Sequence, residues 1–338
     1  MIISQNISLK SYNTFDIDVK AKHFISVNTI DELKYALSLK EYTKHFILGG
    51  GSNMLLTKDI DALVIHLNLK GIEIISTDPY SVNVKVSAGE NWHQFVLWAI
   101  EHNFGGIENL SLIPGNVGTA PIQNIGAYGV ELKDTFVECS VLEIATQSIK
   151  TFTNKECNFD YRSSIFKENV KGDFIILDVT FKLASKNHQL KTSYGAIKNE
   201  LGLMGVDKNP TIKDISKAVI TIRSSKLPDP KEIGNSGSFF KNPIISNTIF
   251  EALKINFPNI PSYPISKDLV KIPAGWLIEQ AGFKGKRFNN YGVHKNQALV
   301  LVNYGGAKGK DIYELSLLIQ NTIKRIYNIN LEAEVNIF

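Results

Sequence analysis

The chain has 338 residues, 43% of them hydrophobic and 21% charged, with a formal net charge of +4. At about 100–200 residues per domain that length predicts two or three domains, and the composition is that of a globular protein able to bury its core without staples. It argues against a nucleic-acid binder, since no dense basic stripe with interleaved aromatics occurs; against a membrane span, since no run approaches about 18 apolar residues; and against a zinc ribbon or redox pair, since the two cysteines, Cys139 and Cys157, form no CxxC.

The N-terminus, MIISQNISLKSYNTF, has no apolar run behind a basic patch, so no signal peptide is expected, and with few cysteines the expected location is cytoplasmic. Thr29-Ile30-Asp31-Glu32 has the form of a capping box, and Ile30, Leu33 and Leu37 predict an amphipathic helix over 30–39. Phe46-Ile47-Leu48 predicts a strand running into Gly49-Gly50-Gly51-Ser52-Asn53, and residues 63–67 predict another. Residues 81–87 alternate strictly, with Val82, Val84 and Val86 on one face of a half-buried strand. A helix is predicted over 92–102, loops over 112–130 and a strand over 174–183. Short helices among many short strands point to an α+β organisation rather than a regular βαβ array. Lys226-Leu227-Pro228-Asp229-Pro230 interrupts regular structure. Beyond it, 248–255 and 274–281 read as helices, 297–302 as a buried strand and 331–338 as strand-like. The clearest helix is 311–327, with Ile312, Leu315, Ile319, Ile323 and Ile326 on one face.

Two glycine-rich segments carry chemistry. In 49–53 and in 114–121, Pro-Gly-Asn-Val-Gly-Thr-Ala-Pro, glycines permit close backbone approach and positive φ, and successive N–H groups can form a concavity for phosphate oxygens. A tight turn is the alternative for either alone; two together suit a ligand with two phosphates. Neither is a dinucleotide fingerprint, because no G-x-G-x-x-G opens a helix, and 305–310 lacks the spacing of a P-loop.

With NTF (13–15), LGGGSNMLL (48–56), IPGNVGTAPIQNIGAYG (113–129), YRSS (161–164), KLPDP (226–230), GNSGSFFKNP (234–243), AGWLIEQAG (274–282), VHKNQALVLVN (293–303) and LEAEV (331–335), the sequence resembles the UDP-N-acetylenolpyruvoylglucosamine reductase family over nearly its whole length. Thr192-Ser193-Tyr194-Gly195 resembles the central tyrosine loop of the family's long type. The resemblance implies a two-part FAD-binding domain of the vanillyl-alcohol-oxidase (PCMH-type) kind plus a C-terminal α+β substrate-binding domain. The expected divisions are 1–70 and 71–218 for the flavin and 219–338 for the substrate. It further implies non-covalent FAD held by Gly49, Gly50, Gly51, Ser52, Asn53, Pro114, Gly115, Gly118, Thr119, Gln123, Asn124, Gly126 and Ala127. NADPH would be the reductant, a UDP-sugar the substrate, no metal would be needed, and a monomer is expected.

By the same resemblance, hydride from the reduced flavin reaches the methylene carbon of an enolpyruvyl ether, giving UDP-N-acetylmuramate for peptidoglycan; charge develops on the neighbouring carbon, which then needs a proton. Ser238 matches the proton donor, a role open to a positioned hydroxyl because a carbanion-like carbon is a stronger base than an alkoxide. Register alone favours it over Ser236, and a turn-capping serine is the bland alternative. Arg162 matches an arginine that holds the substrate carboxylate, with a structural ion pair as its alternative. Glu334 matches the acidic residue, which must be protonated or linked through water to donate; register alone favours it over Glu332. Tyr194, Arg223, Lys226, Asn242 and Gln297 match residues near the diphosphate and uridine, each otherwise an ordinary polar side chain. Ser163, at an often acidic position, and Ala333, where proline is common, depart from the family pattern. Two rivals remain at this point: an FAD oxidase of the same wider fold, many of which tether flavin through a histidine that the loop GGGSNM lacks, and a non-catalytic UDP-sugar binder.

Overall fold

In the computed structural model, which describes residues 2–338, Thr29 caps the helix Ile30–Ser38. Its hydroxyl accepts the Glu32 N–H at 3.1 Å, while the Glu32 carboxylate reaches back to the Asn28 N–H at 2.7 Å. This helix covers a four-stranded sheet with the order Ser4–Ser8, Lys20–Val27, Ile60–Leu67, His45–Leu48, the last two paired in parallel. Leu33 and Ala36 of the helix pack on Ile25, Val27, Leu63 and Ile65.

A second, antiparallel sheet runs Ile149–Thr153, Phe136–Glu143, Phe174–Ala184, Ser81–Ser87, Ile72–Thr77. The alternation over 81–87 is realised: Val82, Val84 and Val86 are buried, against Trp92, Phe95 and Val96 of the helix Trp92–Glu101. Helices Gly195–Leu203 and Ile212–Lys226 pack on each other through Ile197, Leu201, Ile215 and Val219. The second of these had a legible start that the sequence reading passed over. Thr211 and Asp214 form a reciprocal capping box, and Ile212, Ile215, Val219 and Ile222 recur at helical spacing. The first glycine run after the strand His45–Leu48 and the turns of 114–123 (the 3-10 segments Val117–Thr119 and Pro121–Gln123) belong to loops, as expected.

The chain divides into two compact units. The first takes the described residues up to 7, with 21–50 and 61–225; the second takes 8–20, 51–60 and 226–338. In the second, helices Asn247–Asn256, Ala274–Gln280 and Gly309–Tyr327 accompany two three-stranded sheets, Ile244–Ser246/Leu269–Lys271/Tyr263–Pro264 and Arg287–Phe288/Tyr291–Val293/Leu301–Asn303. Strand Met54–Leu55 pairs in parallel with the C-terminal Asn336–Ile337. No helix among the described residues is long and apolar enough to cross a membrane.

Three elements differ from expectation. The strand placed at 297–302 begins only at Leu301, because 297–300 is a turn closed by the Val300 N–H on the Gln297 carbonyl at 3.1 Å. In 331–338, regular pairing is confined to Asn336–Ile337 and an isolated bridge of Ala333 with Phe240. On the helix Gly309–Tyr327 the buried row ends at Tyr327, four residues after Ile323, and Ile326 is 41% exposed.

Asn303 ties the second unit together. It is 2% exposed; its amide donates to the Phe15 carbonyl at 2.8 Å and its Oδ1 accepts the Gly305 and Ala307 N–H groups at 2.8 and 3.1 Å. Asn303→Ala strands a buried carbonyl and two N–H groups, and urea unfolding of the variant should show a loss of about 2–3 kcal/mol.

Candidate active site

In the first unit the two glycine segments touch. A Cβ on Gly49 would stand 2.8 Å from the Thr119 methyl, and one on Gly50 would stand 2.7 Å from Asn116 Oδ1 and 3.1 Å from Gly115 Cα. Gly118 lies against Ala88 so closely that any side chain would collide, and its N–H donates to the Ala88 carbonyl at 3.0 Å. The 126–131 hairpin turns through Tyr128 and Gly129, both at positive φ (50° and 80°), as a two-residue hairpin turn requires. Asn124, fully buried at φ 43°, donates to the Glu131 carboxylate and the Asp160 carbonyl, each at 3.1 Å, and accepts the Lys133 N–H at 3.1 Å. Its side chain is thus engaged in organising the loop. Gln123, Gly126 and Ala127 are half-buried beside it.

Arg162 stands at φ 54° in a turn closed by the Ser163 N–H on the Asp160 carbonyl at 3.1 Å. A left-handed arginine costs on the order of 1 kcal/mol, a strain typical of residues held for use. Its guanidinium donates to the Gly126 carbonyl at 2.7 Å, which fastens it to the second glycine segment, and it lies 5.8 Å from the Tyr161 ring centroid. Arg223 projects from the helix Ile212–Lys226 into the same charge environment. Burial, opposed by Tyr128 and reinforced by repulsion from Arg162, pulls its guanidinium below the ordinary arginine value, and its Nε is buried without a hydrogen-bond partner. Tyr194 is the N-cap of the helix Gly195–Leu203, 54% exposed, with its ring edge-on to Tyr128 at 5.4 Å. Two arginines and two tyrosines with an unpartnered buried N–H make this an anion-seeking group. Tyr128 and His93, which also feels Arg223, were not singled out in the sequence; nothing local marks them, because the chain brings them to Arg223 from far upstream.

In the second unit, residues 238–240 are hydrogen-bonded on both sides. Ser238 bridges Val300, with the Phe239 N–H on the Leu299 carbonyl at 2.8 Å; Phe240 bridges Ala333, with the Glu334 N–H on the Phe239 carbonyl at 2.8 Å. Ser238 and Glu334 thus come from opposite ends of this unit's sequence to within one residue of the same backbone pairing. Sequence register left two pairs of rivals, and the structure treats their members differently. Ser236 is 9% exposed and donates to the Met54 carbonyl at 3.2 Å, whereas the Ser238 hydroxyl is half-buried and makes no hydrogen bond among the described residues. Glu332 is exposed and paired with Lys241 at 3.2 Å, whereas Glu334 is half-buried. Gly51 packs on the Tyr12 carbonyl, and Asn53 accepts from the Asn336 N–H at 3.2 Å and donates to the Glu334 carbonyl at 3.4 Å, so this loop end steadies the glutamate's segment; Ser52 between them is half-buried.

The remaining matched residues are less alike than expected. Asn242 meets the start of the helix Ala274–Gln280 through its Oδ1, which accepts the Ala274 N–H at 2.9 Å. Gln297 Oε1 would be 3.3 Å from a Cβ on Gly275. Lys226 is the exposed last residue of its helix, and regular structure breaks only after it. Among the described residues no cluster of His, Cys, Asp and Glu could hold a metal ion.

A family model described as UDP-N-acetylenolpyruvoylglucosamine reductase, C-terminal domain, matches residues 229–338, and one described as FAD binding domain matches 21–152. The UDP-N-acetylenolpyruvoylglucosamine reductase of Flavobacterium johnsoniae is 61% identical over 337 residues, covering 100% of both chains. That of Pseudomonas fluorescens is 45% identical over 338 residues, covering 99% of each. The chain belongs to the UDP-N-acetylenolpyruvoylglucosamine reductase family. A solved reductase of this family (MurB) from Thermus caldophilus shares the fold, with a TM-score of 0.71 at 23% identity, over 100% of this chain and 99% of that one. The expected architecture, an FAD-binding α+β part followed by the C-terminal domain of this family, is the one found.

The residues fit the flavin of that family. Gly49 and Gly50 stand where a side chain would fill the space between the two loops, Gly118 stands where one would collide with Ala88, and both loops lie within the FAD-binding match. Gly50→Ala should force Asn116 and Gly115 back by tenths of an ångström. Purified variant should carry less flavin per chain and bind FAD about tenfold or more weakly, as the ratio of visible to ultraviolet absorbance and a fluorescence titration would show.

Proposed function

We propose that the chain reduces UDP-N-acetylglucosamine enolpyruvate to UDP-N-acetylmuramate with NADPH, through non-covalent FAD, in the cytoplasmic synthesis of peptidoglycan precursors that cell-wall growth, cell shape and division require. The names of the full-length relatives support the substrate and reaction, and the matched FAD-binding domain supports the cofactor. The observation that supports the chemistry is the difference between the two serines of 234–240: Ser236 donates to the Met54 carbonyl, whereas the half-buried Ser238 hydroxyl makes no hydrogen bond among the described residues. In the three-part reading, 1–70 and 71–218 hold the flavin and 219–338 the substrate, with Tyr194 in the tyrosine loop of the long type.

The chemistry that bound FAD would contribute, once reduced by NADPH, is hydride for the alkene. The chain's own groups do the rest. Arg162, fixed by Gly126 and by its turn, presents a permanent charge to the substrate carboxylate as negative charge builds there. Arg223, with Tyr128 and Tyr194 near it, offers its unpartnered Nε–H to a phosphate oxygen. Ser238 gives its proton to the carbon that hydride attack leaves electron-rich, and Glu334, one backbone pairing away, serves the same carboxyl end as a proton-bearing partner. Lys226, Asn242 and Gln297 add polar contacts to the nucleotide.

Ser238→Ala should bind FAD and be bleached by NADPH like the parent, while single-turnover reoxidation by the enolpyruvyl substrate slows by about two orders of magnitude or more. Ser236→Ala should lose stability before it loses turnover. Unchanged reoxidation in Ser238→Ala removes the serine from the mechanism, and colourless protein that cannot be reconstituted with FAD removes the reading altogether.

A further inference from the structure

We propose that His93 is a positioning residue for the flavin cradle: the lone pair of its neutral imidazole holds Leu112 in the left-handed conformation from which the second glycine loop springs. The inference rests on the reading of 113–121 as part of the FAD site.

The geometry is a three-point clasp. The first two residues of the helix Trp92–Glu101 grip the segment 110–115 at every other residue or so. The Trp92 indole donates to the Leu110 carbonyl at 2.9 Å, His93 Nδ1 accepts the Leu112 N–H at 3.0 Å, and the Trp92 N–H donates to the Gly115 carbonyl at 2.9 Å. Leu112 between them has φ 59°, a region disfavoured for any residue with a Cβ. Its N–H is directed away from the ordinary partners of a turn and meets an imidazole instead. The segment is also tied to the helix that bears Arg223, through the Ser111 and Ser216 hydroxyls at 2.8 Å. Leu112 immediately precedes Ile113-Pro114-Gly115, so its φ sets the direction in which the loop leaves.

An imidazole nitrogen that accepts a hydrogen bond carries no proton, so the clasp exists only while His93 is neutral. Its surroundings enforce that state. Burial, then the Arg223 charge, hold it below the usual 6.5, and its place in the first helical turn adds the positive end of the helix dipole. The charged group facing it is Arg223; the segment 110–115 carries no charged side chain, and its own first turn carries no acid. The sign follows. The folded imidazole has the depressed value, so the clasp is complete above 6.5 and is lost as pH falls through the depressed value below it.

The test measures the FAD dissociation constant of the full chain by fluorescence from about pH 8 to about pH 5, with circular dichroism confirming the fold of each variant. At the upper end His93→Ala should bind FAD about tenfold or more weakly, whereas His93→Gln, whose Oε1 can accept the same N–H, should stay within about threefold of the parent. The parent should lose affinity in acid and His93→Gln should lose markedly less. In a Leu112→Gly background, where positive φ is relaxed, His93→Ala should cost less than it does alone. Parent-like binding by His93→Ala, or an acid loss identical in the parent and His93→Gln, overturns the inference. Thr119→Phe separates the two readings: weakened FAD binding there with an indifferent His93→Ala sinks His93 alone, while indifference in both sinks the loop as a cradle.

Discussion

The chemistry assigned to the second unit depends on a run of three residues, 238–240, hydrogen-bonded along both edges. The Phe239 N–H is taken by Leu299 and its carbonyl by Glu334, while the Phe239 and Phe240 rings are buried beneath. A serine hydroxyl is useful as an acid only if it is aimed, and a short strand paired on both sides has little freedom to turn. That same pairing brings a glutamate from the last residues of the chain beside a serine nearly a hundred residues earlier. The left-handed Gly237 (φ 69°), with open space where a Cβ would be, lets the chain swing from the buried Ser236 to the half-buried Ser238.

The first unit works by a different constraint, close approach. Glycines at 49, 50 and 118 let the backbone approach Thr119, Asn116 with Gly115, and Ala88 where a methyl group would not fit. Positive φ at Leu112, Asn124, Tyr128 and Arg162 shows how sharply the intervening chain must turn to bring those loops, Arg162 and the 126–131 hairpin together. Such conformations persist where surrounding contacts over-determine them. Here the contacts can be named: His93 on Leu112, three protein partners on Asn124, the Gly126 carbonyl on Arg162. Arg223, by contrast, is held short of full satisfaction. Arg223 keeps a buried N–H without a partner, the state expected of a group that waits for an anion.

Periodicity and capping were legible wherever packing follows local pattern. The valines of 81–87, the capping box at Thr29 and the apolar row from Ile312 to Ile323 lie as their spacing predicts. It failed where pairing is non-local or the polar face confuses the pattern. Residues 297–300 are apolar enough for a strand but turn to close on Gln297, and 331–335 pairs through a single bridge. The helix Ile212–Lys226 was legible, and its capping box was the signal passed over.

By itself the sequence determined the family and the kind of fold, and it named the glycine loops and the handful of polar residues on which the proposed chemistry rests, because ordered motifs constrain which side chains sit at which backbone turns. It could not separate Ser238 from Ser236 or Glu334 from Glu332, since neighbours two apart share the same periodicity. Only the tertiary structure distinguishes them, by engaging Ser236 with Met54 and Glu332 with Lys241. Hydrogen bonds and ion pairs between residues far apart in the chain give neighbours of the same type different surroundings, and no local pattern records them.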